Sequence, residues 1–245
     1  MVRDAAWLWV PDAPVDPAPI TRFAQARGVR EVFVSVPWLG PTGATTAVCT
    51  HLRRVGIRVS ALGGHIDWAR RPEQASAWAA RAHAGGLFAA THLDIEPWAA
   101  NDWPADAEVR LAGVADAVRQ VRTVTRRPVD VDLAPPIAHT HPVGFTEIAA
   151  AADHVVLMAY RDTTDAILSF SSAARARVKA AHTAYRLAVD TRPSAHPHTT
   201  FAGQPESVLI RVTDEVSSAV ADDSWYSGIA VHDLTGWEHL GARST

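Results

Sequence analysis

The feature that most constrains this chain is a regular alternation of short β-rich runs with longer stretches rich in alanine and arginine. The β-rich runs predict strands at residues 5–10, 31–36, 57–62, 87–96, 128–134, 154–160, 185–190 and 228–232. The intervening stretches predict helices at residues 20–27, 45–55, 72–84, 104–125, 145–152, 165–182 and 206–221. Strands that alternate with helices in this way are typical of a parallel α/β architecture.

Two architectures have this rhythm, a closed (β/α)8 TIM barrel and an open, doubly wound sheet. A doubly wound nucleotide-binding sheet carries a glycine-rich phosphate loop after its first strand. This chain has Trp7 and Trp9 at that point instead. Eight predicted strands and 245 residues fit the barrel. We therefore predict an α/β fold, a single TIM-barrel catalytic domain over residues 1–245.

Composition excludes several function classes. The formal net charge is -3 and the basic residues are scattered, so nucleic acid is not an expected partner. Cys49 is the only cysteine, which excludes an intrachain disulfide and a cysteine-based zinc site. No apolar run is long enough to cross a membrane, and prolines interrupt the N-terminal residues where a signal peptide would lie. We expect a cytoplasmic protein that does not bind membranes; a leader removed earlier and the oligomeric state stay open.

The predicted strand ends concentrate side chains that can do chemistry. In a TIM barrel the C-terminal ends of the strands converge on one face, which carries the active site. In this chain those ends supply Ser35, Trp38, His65, Asp67, Trp68, His92, Asp94, Glu96, Asp130, Asp132, Met158, Tyr160, Arg161, Asp162, Asp190, Arg192, His232 and Asp233. The N-terminal ends of the strands are much poorer in acids. This asymmetry favours an enzyme.

The fourth strand carries the densest of these groups. Residues two apart in a strand point the same way, so His92, Asp94 and Glu96 share one face. Pro97 cannot donate to a sheet ladder and should end the strand there. Two acids this close repel each other, which raises the pKa of one of them and suits general acid catalysis near neutral pH.

Tryptophan is unusually frequent, with nine residues against six Phe and three Tyr. Six of them adjoin predicted strand ends: Trp7, Trp9, Trp38, Trp68, Trp98 and Trp237. A cluster of indoles at a barrel mouth suits the stacking of sugar-like rings, and we expect Trp7, Trp9, Trp38 and Trp237 to form such walls. The alternative is that each Trp fills space around the mouth.

Two short motifs carry a resemblance to a known family. Leu93-Asp94-Ile95-Glu96 on the fourth strand and Met158-Ala159-Tyr160 on the sixth resemble the chitinase-like barrels of glycoside hydrolase family 18. The resemblance implies that Glu96 is the general acid/base that protonates the glycosidic oxygen. It implies that Asp94 polarises an acetamido group of the substrate, which acts as the nucleophile. Tyr160 would then hydrogen-bond the cyclised intermediate.

The chain departs from the family pattern around this core. Ala89 and His92 stand where the family has two aspartates, and Arg161 stands where it has an aspartate after the tyrosine. His232 takes the place of a tryptophan on the eighth strand. The resemblance therefore supports a barrel of sugar-hydrolase type more firmly than it supports chitin as the substrate.

The remaining strand-end groups are assigned to substrate binding. Beside the tryptophans these are His65, Asp67, His92, Asp132, Met158, Arg161, Asp190 and His232. The acids have a structural alternative, ion pairs with Arg161 or Arg192, and one of Asp130 and Asp132 is expected to orient a neighbour. A metal held by the histidines and acids is the less favoured reading, because the first strand lacks the His-x-His of metal-dependent amidohydrolase barrels. We expect no cofactor and no metal.

The sequence thus predicts a glycosidase-type hydrolase acting on a small-molecule or oligosaccharide substrate, with Glu96, Asp94 and Tyr160 as catalytic residues. Two alternatives stay open. The first is a lyase, isomerase or cyclase that acts on a small metabolite on the same barrel. The second is a carbohydrate-binding barrel without catalytic activity, against which the intact Asp94–Glu96 pair speaks.

Overall fold

The computed structural model describes residues 3–241. Its strands are β1 Arg3–Leu8, β2 Glu31–Ser35, β3 Arg58–Gly63, β4 Ala90–Leu93, β5 Val129–Leu133, β6 His154–Leu157, β7 Ala184–Asp190 and β8 Tyr226–His232. Neighbours in the chain pair in parallel, and β8 closes the sheet on β1. The predicted TIM barrel is confirmed.

Helices return the chain from each strand to the next. They are α1 Pro17–Ala26, α2 Gly43–Arg54, α3 Pro72–His83, α4 Ala107–Thr125, α5 Ile137–Thr140, α6 Pro142–Ala151, α7 Thr164–Ala180, α8 Glu206–Ala219 and α9 Leu234–Glu238. Several begin at a side-chain cap, as where Thr42 accepts the Thr45 N–H at 3.1 Å. Helix α2 is followed by Gly56, which has φ +80°, a conformation that favours glycine after a helix end. None of the helices in residues 3–241 has the length and apolar character needed to cross a membrane.

The strands separate two apolar layers. Side chains such as Leu93 and Ile95 point outwards and pack, with the inner faces of the helices, into the larger cluster. The inside of the barrel holds a smaller apolar cluster: Ala5, Trp7, Phe33, Leu62, Val156, Ala188 and Ala230, with Tyr160 against it. Buried polar residues complete the interior, among them His92, Asp130 and Asp132. The acids Asp130 and Asp132 on β5, and Asp94 and Glu96 just beyond the end of β4, therefore lie on the inner face of the barrel, as the two-residue period predicts.

The structure shifts several predicted boundaries. Strand β4 ends at Leu93, so Asp94 and Glu96 belong to an extended tip that runs into a 3-10 turn at Pro97–Ala99. The predicted helix at 104–125 begins at Ala107, because Asp106 has φ −143° and breaks it from the 3-10 turn at Trp103–Ala105. Helices α5 and α9 are short elements in stretches that were not predicted to be helical.

Candidate active site

The backbones at the C-terminal ends of β3 and β4 approach each other closely beneath Asp94 and Glu96. The Asp94 N–H donates to the Gly63 carbonyl at 3.0 Å. A Cβ on Gly64 would lie 1.7 Å from the Asp94 carbonyl oxygen, so only glycine allows this approach. Gly64 therefore allows the end of β3 to pack directly against the backbone of Asp94.

Asp94 and Glu96 form a coupled pair of acids with few compensating charges. Burial raises the pKa of Asp94 well above its ordinary value, and the charges of Asp132 and Glu96 raise it further. Burial also raises the pKa of Glu96, against the hydrogen bond that the Trp98 indole donates to Glu96 Oε2 at 3.0 Å. A hydrogen bond between the two carboxyls raises the pKa of Asp94 and lowers that of Glu96. Both carboxyls therefore hold a proton more readily than ordinary acids do, Asp94 more strongly than Glu96.

A buried histidine–aspartate pair lies directly below these acids. His92 Nε2 and Asp132 Oδ2 are 2.8 Å apart, and neither side chain is more than 1% exposed. The His92 ring stacks on Phe33 at 3.7 Å between centroids, and the Trp7 ring meets it edge-on at 5.5 Å. His92 is therefore held rigidly and fixes Asp132 beneath Asp94, whose pKa Asp132 raises.

Residues at the C-terminal ends of β6, β7 and β8 form the side of the barrel mouth that faces Asp94 and Glu96. His232 Nδ1 and Asp190 Oδ1 are 2.8 Å apart, and the His232 ring stacks on Tyr160 with centroids 5.7 Å apart. Burial raises the pKa of Tyr160 well above its ordinary value, and the surrounding carboxylates add to this, Asp132 and Asp94 most. The Tyr160 hydroxyl therefore stays protonated and can donate a hydrogen bond into the mouth. The peptide bond between His232 and Asp233 is cis.

The tryptophans predicted as walls separate into different roles. Trp9 is 42% exposed and its ring meets His232 edge-on at 6.2 Å, so it borders the mouth. Trp7 is buried in the barrel interior, where its edge contacts His232 at 5.4 Å. Trp237 is not brought to this group: it is buried against Phe23 and donates its indole N–H to Glu206 at 2.8 Å.

The other predicted binding residues also divide. Met158 is buried at the end of β6. Arg161 turns away from the mouth, with its guanidinium 3.7 Å from the centre of the Phe170 ring on α7. His65 and Asp67 are exposed beside the β3 tip, where His65 Nδ1 accepts the Asp67 N–H at 3.1 Å, and Trp38 stands across from them beyond β2. The alternative ion pairs of Asp94 and Glu96 with Arg161 or Arg192 are not found among residues 3–241; Arg192 lies 3.9 Å from Asp233.

Three side chains support the site although the sequence pattern did not predict a role for them there. Trp98 bonds Glu96, and its position two residues later was a usable signal. Phe33 supports His92 from β2, and Trp78 reaches the end of β2 from α3; nothing local to these residues reveals either contact. Within residues 3–241 no group of three or more His, Cys, Asp or Glu side chains is arranged to hold a metal ion.

Comparison with known proteins rests on structure. No family model and no curated protein matches the sequence. The β-mannanase AaManA of glycoside hydrolase family 113 from Alicyclobacillus acidocaldarius is 13% identical with a TM-score of 0.63, over 95% of this chain and 86% of that chain. The glycoside hydrolase domain of PgaB (BpsB) from Bordetella bronchiseptica is 13% identical with a TM-score of 0.60, over 100% of both chains.

A family 18 chitinase from Crocus vernus is also similar, at 11% identity and a TM-score of 0.58, over 96% of this chain and 93% of that chain. At such identities the likeness shows the fold. The structural neighbours are thus TIM-barrel glycoside hydrolases of several families, of which family 18 is one.

Proposed function

We propose that this protein is a glycosidase-type hydrolase in which Glu96 is the general acid/base and Asp94 its partner. The observation that carries the proposal is the coupled acid pair at the tip of β4, where burial and neighbouring carboxylates raise both pKa values. Strongly shifted acids in a cleft are typical of catalytic sites. The glycoside hydrolases among the structural neighbours support the same class of reaction.

Glu96 supplies the proton. Because its pKa is raised by burial, a larger fraction of Glu96 is protonated near neutral pH than of an ordinary glutamate. It would donate that proton to the glycosidic oxygen as the bond to the anomeric carbon breaks, with the bonding electrons going to the oxygen. The resulting carboxylate would later take a proton from the attacking water, which restores the acid.

Asp94 and Tyr160 would act on the sugar ring. Following the family 18 resemblance, the acetamido oxygen of a 2-acetamido sugar attacks the anomeric carbon, and Asp94 polarises the acetamido group. The protonated Tyr160 hydroxyl would hydrogen-bond the cyclised intermediate. Water then opens that intermediate and leaves its oxygen on the released hemiacetal. His92 and Asp132 contribute by holding Asp94 in place and sustaining its raised pKa.

A panel of aryl glycosides tests the proposal, with and without 2-acetamido groups, in water enriched in oxygen-18. We expect label at the released hemiacetal, and a loss of about 10²- to 10⁴-fold in kcat for Glu96→Gln, the usual contribution of a general acid. Glu147→Gln, at an exposed position of α6, is the matched control and should retain full activity.

Full turnover by Glu96→Gln on every accepted substrate would exclude the mechanism. Turnover without incorporation of label would favour a lyase, isomerase or cyclase on the same barrel. Tight sugar binding without turnover by the wild-type chain would favour a carbohydrate-binding barrel.

A further inference from the structure

A second concave site adjoins the acid pair. It is a cavity of about 340 Å³ at the C-terminal ends of β2 and β3, roofed by α3. Its lining includes Val36, Trp38, Gly63, His65, Trp68 and Trp78. The volume lies at the small end of the range for ligand pockets, which is about 300–1,000 Å³. Only Trp38 and His65 of this lining were expected to bind substrate.

We call this site the Trp cavity, because the rings of Trp78, Trp68 and Trp38 lie one after another along it. The Trp78 and Trp68 centroids are 5.4 Å apart with planes at 39°, and the Trp68 and Trp38 centroids are 6.4 Å apart at 48°. The rings therefore tilt progressively and form a curved aromatic wall, in which Trp78 and Trp68 are buried and Trp38 is the exposed ring. The spacing leaves no room for a flat ligand to be sandwiched between two of them, so a ligand would lie against the exposed part of the wall.

The wall is built from rigid parts. The Trp78 indole N–H donates to the Val36 carbonyl at 3.0 Å, which ties α3 to the end of β2. A Cβ on Gly63 would lie 2.3 Å from Trp78 Cζ2, so the ring occupies the space that a side chain would take. A surface that keeps its shape without a ligand loses little conformational entropy when it binds one.

Trp38 is held in place although it is 46% exposed. The Arg81 guanidinium lies 4.1 Å from the centre of the Trp38 ring, and Arg81 Nε donates to the Trp38 carbonyl at 2.8 Å. The arginine covers one side of the indole and fixes its orientation. A ring held in this way loses less conformational freedom when a ligand stacks on it than an unsupported ring would. The exposed side of Trp38 can therefore serve as a stacking surface.

The chemistry of the lining selects an uncharged ligand. None of the lining residues is Asp, Glu, Lys or Arg, and His65 is the only titratable residue among them. Two charged side chains lie beside the lining, Arg81 against one side of Trp38 and Asp67 at 3.8 Å from His65, but a charged unit would find no counter-charge in the lining itself. The C–H face of a pyranose ring fits the exposed Trp38 indole, and Gln74 and His65 can hydrogen-bond its hydroxyls.

The position of the cavity connects it to the acids. Its floor includes Gly63 and Gly64, which contact the Asp94 backbone. The Trp cavity and Glu96 thus lie on neighbouring strand ends at the same end of the barrel. We expect adjacent units of one saccharide chain to reach both sites.

We propose that the Trp cavity binds a neutral pyranose unit of the same saccharide whose linkage is cleaved at Glu96. The inference rests on the proposed function and narrows it: the substrate is an oligosaccharide of at least two uncharged units. Because the lining itself contains no acid, we expect a saccharide with a free amino group at this position to bind more weakly than a neutral one.

Direct binding can be followed on the full-length Glu96→Gln chain with ¹⁵N-labelled tryptophan. The probes are N,N′-diacetylchitobiose and β-1,4-mannobiose, both neutral, and chitobiose with free amino groups. We expect a neutral disaccharide to shift the Trp38 and Trp68 indole resonances, and the charged one to leave them unchanged. Unchanged resonances with both neutral probes, or an equal response to the charged probe, would overturn the proposal.

Turnover provides the second measurement. Trp38→Ala should weaken kcat/KM for an aryl disaccharide about tenfold, roughly the 1.4 kcal/mol expected for one stacked ring. The loss for the matching aryl monosaccharide should be smaller, because that substrate does not extend into the Trp cavity. Trp225→Ala, a half-buried tryptophan just before β8 at the other end of the barrel, is the control and should leave the ratio of the two substrates unchanged.

The two proposals fail differently. If Glu96→Gln is inactive but Trp38→Ala lowers both substrates equally, the cavity proposal is wrong and the proposed function stands. If the neutral probes shift Trp38 and Trp68 while Glu96→Gln keeps full turnover, the cavity binds sugars and the proposed mechanism is wrong. Thermal unfolding of each variant verifies that it is folded.

Discussion

The carboxylates inside the barrel fall into two layers that differ in their counter-charges. In the lower layer, towards the N-terminal strand ends, Glu31 and Asp130 share Arg186, whose Nη2 is 2.8 Å from Glu31 and whose Nη1 is 3.6 Å from Asp130. Burial raises the pKa of Asp130, but the hydrogen bond from His154 and the charge of Arg186 hold it below its ordinary value. Asp130 therefore stays ionised.

The upper layer contains acids without such a cation. Asp132 lies two residues beyond Asp130 on the same strand and pairs with His92, while Asp94 and Glu96 pair with each other. One oxygen of Asp94 and one of Asp132 are buried without a hydrogen-bond partner among residues 3–241. The barrel therefore pairs its acids with a shared arginine towards the N-terminal strand ends, whereas the acids at the mouth have no such partner among residues 3–241. Acids of the second kind are typical of functional sites.

The largest effect should follow from removing the lower cation. Arg186→Met removes the buried cation that Glu31 and Asp130 share and leaves them only the more exposed Arg58 and His154, so we expect a loss of about 3 kcal/mol in the free energy of unfolding. Urea denaturation measures it. Arg211→Met breaks an exposed pair with Glu215 on α8 and should cost less than about 1 kcal/mol. Equal losses for the two variants would remove the distinction between the lower layer and an ordinary surface pair.

The upper layer should respond in the opposite direction. The folded pKa of Asp94 lies above its unfolded value, so the folded chain holds more protons and its stability falls as pH rises from the ordinary value of 3.8 to the folded pKa. Asp94→Asn removes this loss and should be more stable than wild type at pH 8 by on the order of 1 kcal/mol. Denaturation at pH 5 and pH 8 measures the difference, and parallel curves for the two proteins would contradict it. Activity should fall in the same variant.

A smaller effect is expected at the hydrogen bond to Glu96. Trp98→Phe keeps an aromatic ring but removes the N–H donor that lowers the pKa of Glu96, so that pKa should rise. The alkaline limb of the activity profile should move to higher pH, and ¹³C NMR of the Glu96 carboxyl reports the shift directly. Trp103→Phe alters the neighbouring ring, 6.4 Å away, and should leave the profile in place.

The smallest effect concerns the charge across the mouth. The positive form of His232 also lowers the pKa of Glu96, less than the Trp98 hydrogen bond does, so His232→Gln should raise that pKa by less than Trp98→Phe. Asp190, Tyr160 and Trp9 contact His232. We expect their own effects on the pKa of Glu96 to be the same in the wild-type and variant chains. His239→Gln, at an exposed position after α9, serves as the control. A larger rise in the pKa of Glu96 for His232→Gln than for Trp98→Phe would contradict this ranking.

The sequence by itself determined the architecture and the position of the acids. The alternation of strands and helices is a local property, so it predicted a barrel whose strands lie within a few residues of those observed. The two-residue period placed His92, Asp94 and Glu96 on the inner face, since Leu93 and Ile95 pack outside. Boundaries were less accurate where a backbone angle decided them, as at Asp106.

Only the tertiary structure decided what the inward-facing groups do. Asp130 and Asp132 have the same residue type, strand and face, yet one is paired with Arg186 from β7 and the other with His92 from β4. In the same way Trp237 is buried in the core, while Trp38 is 46% exposed at the Trp cavity. The period of a strand fixes which way a side chain points. Its pKa and its exposure depend on groups that distant parts of the chain bring beside it, and no local pattern records those.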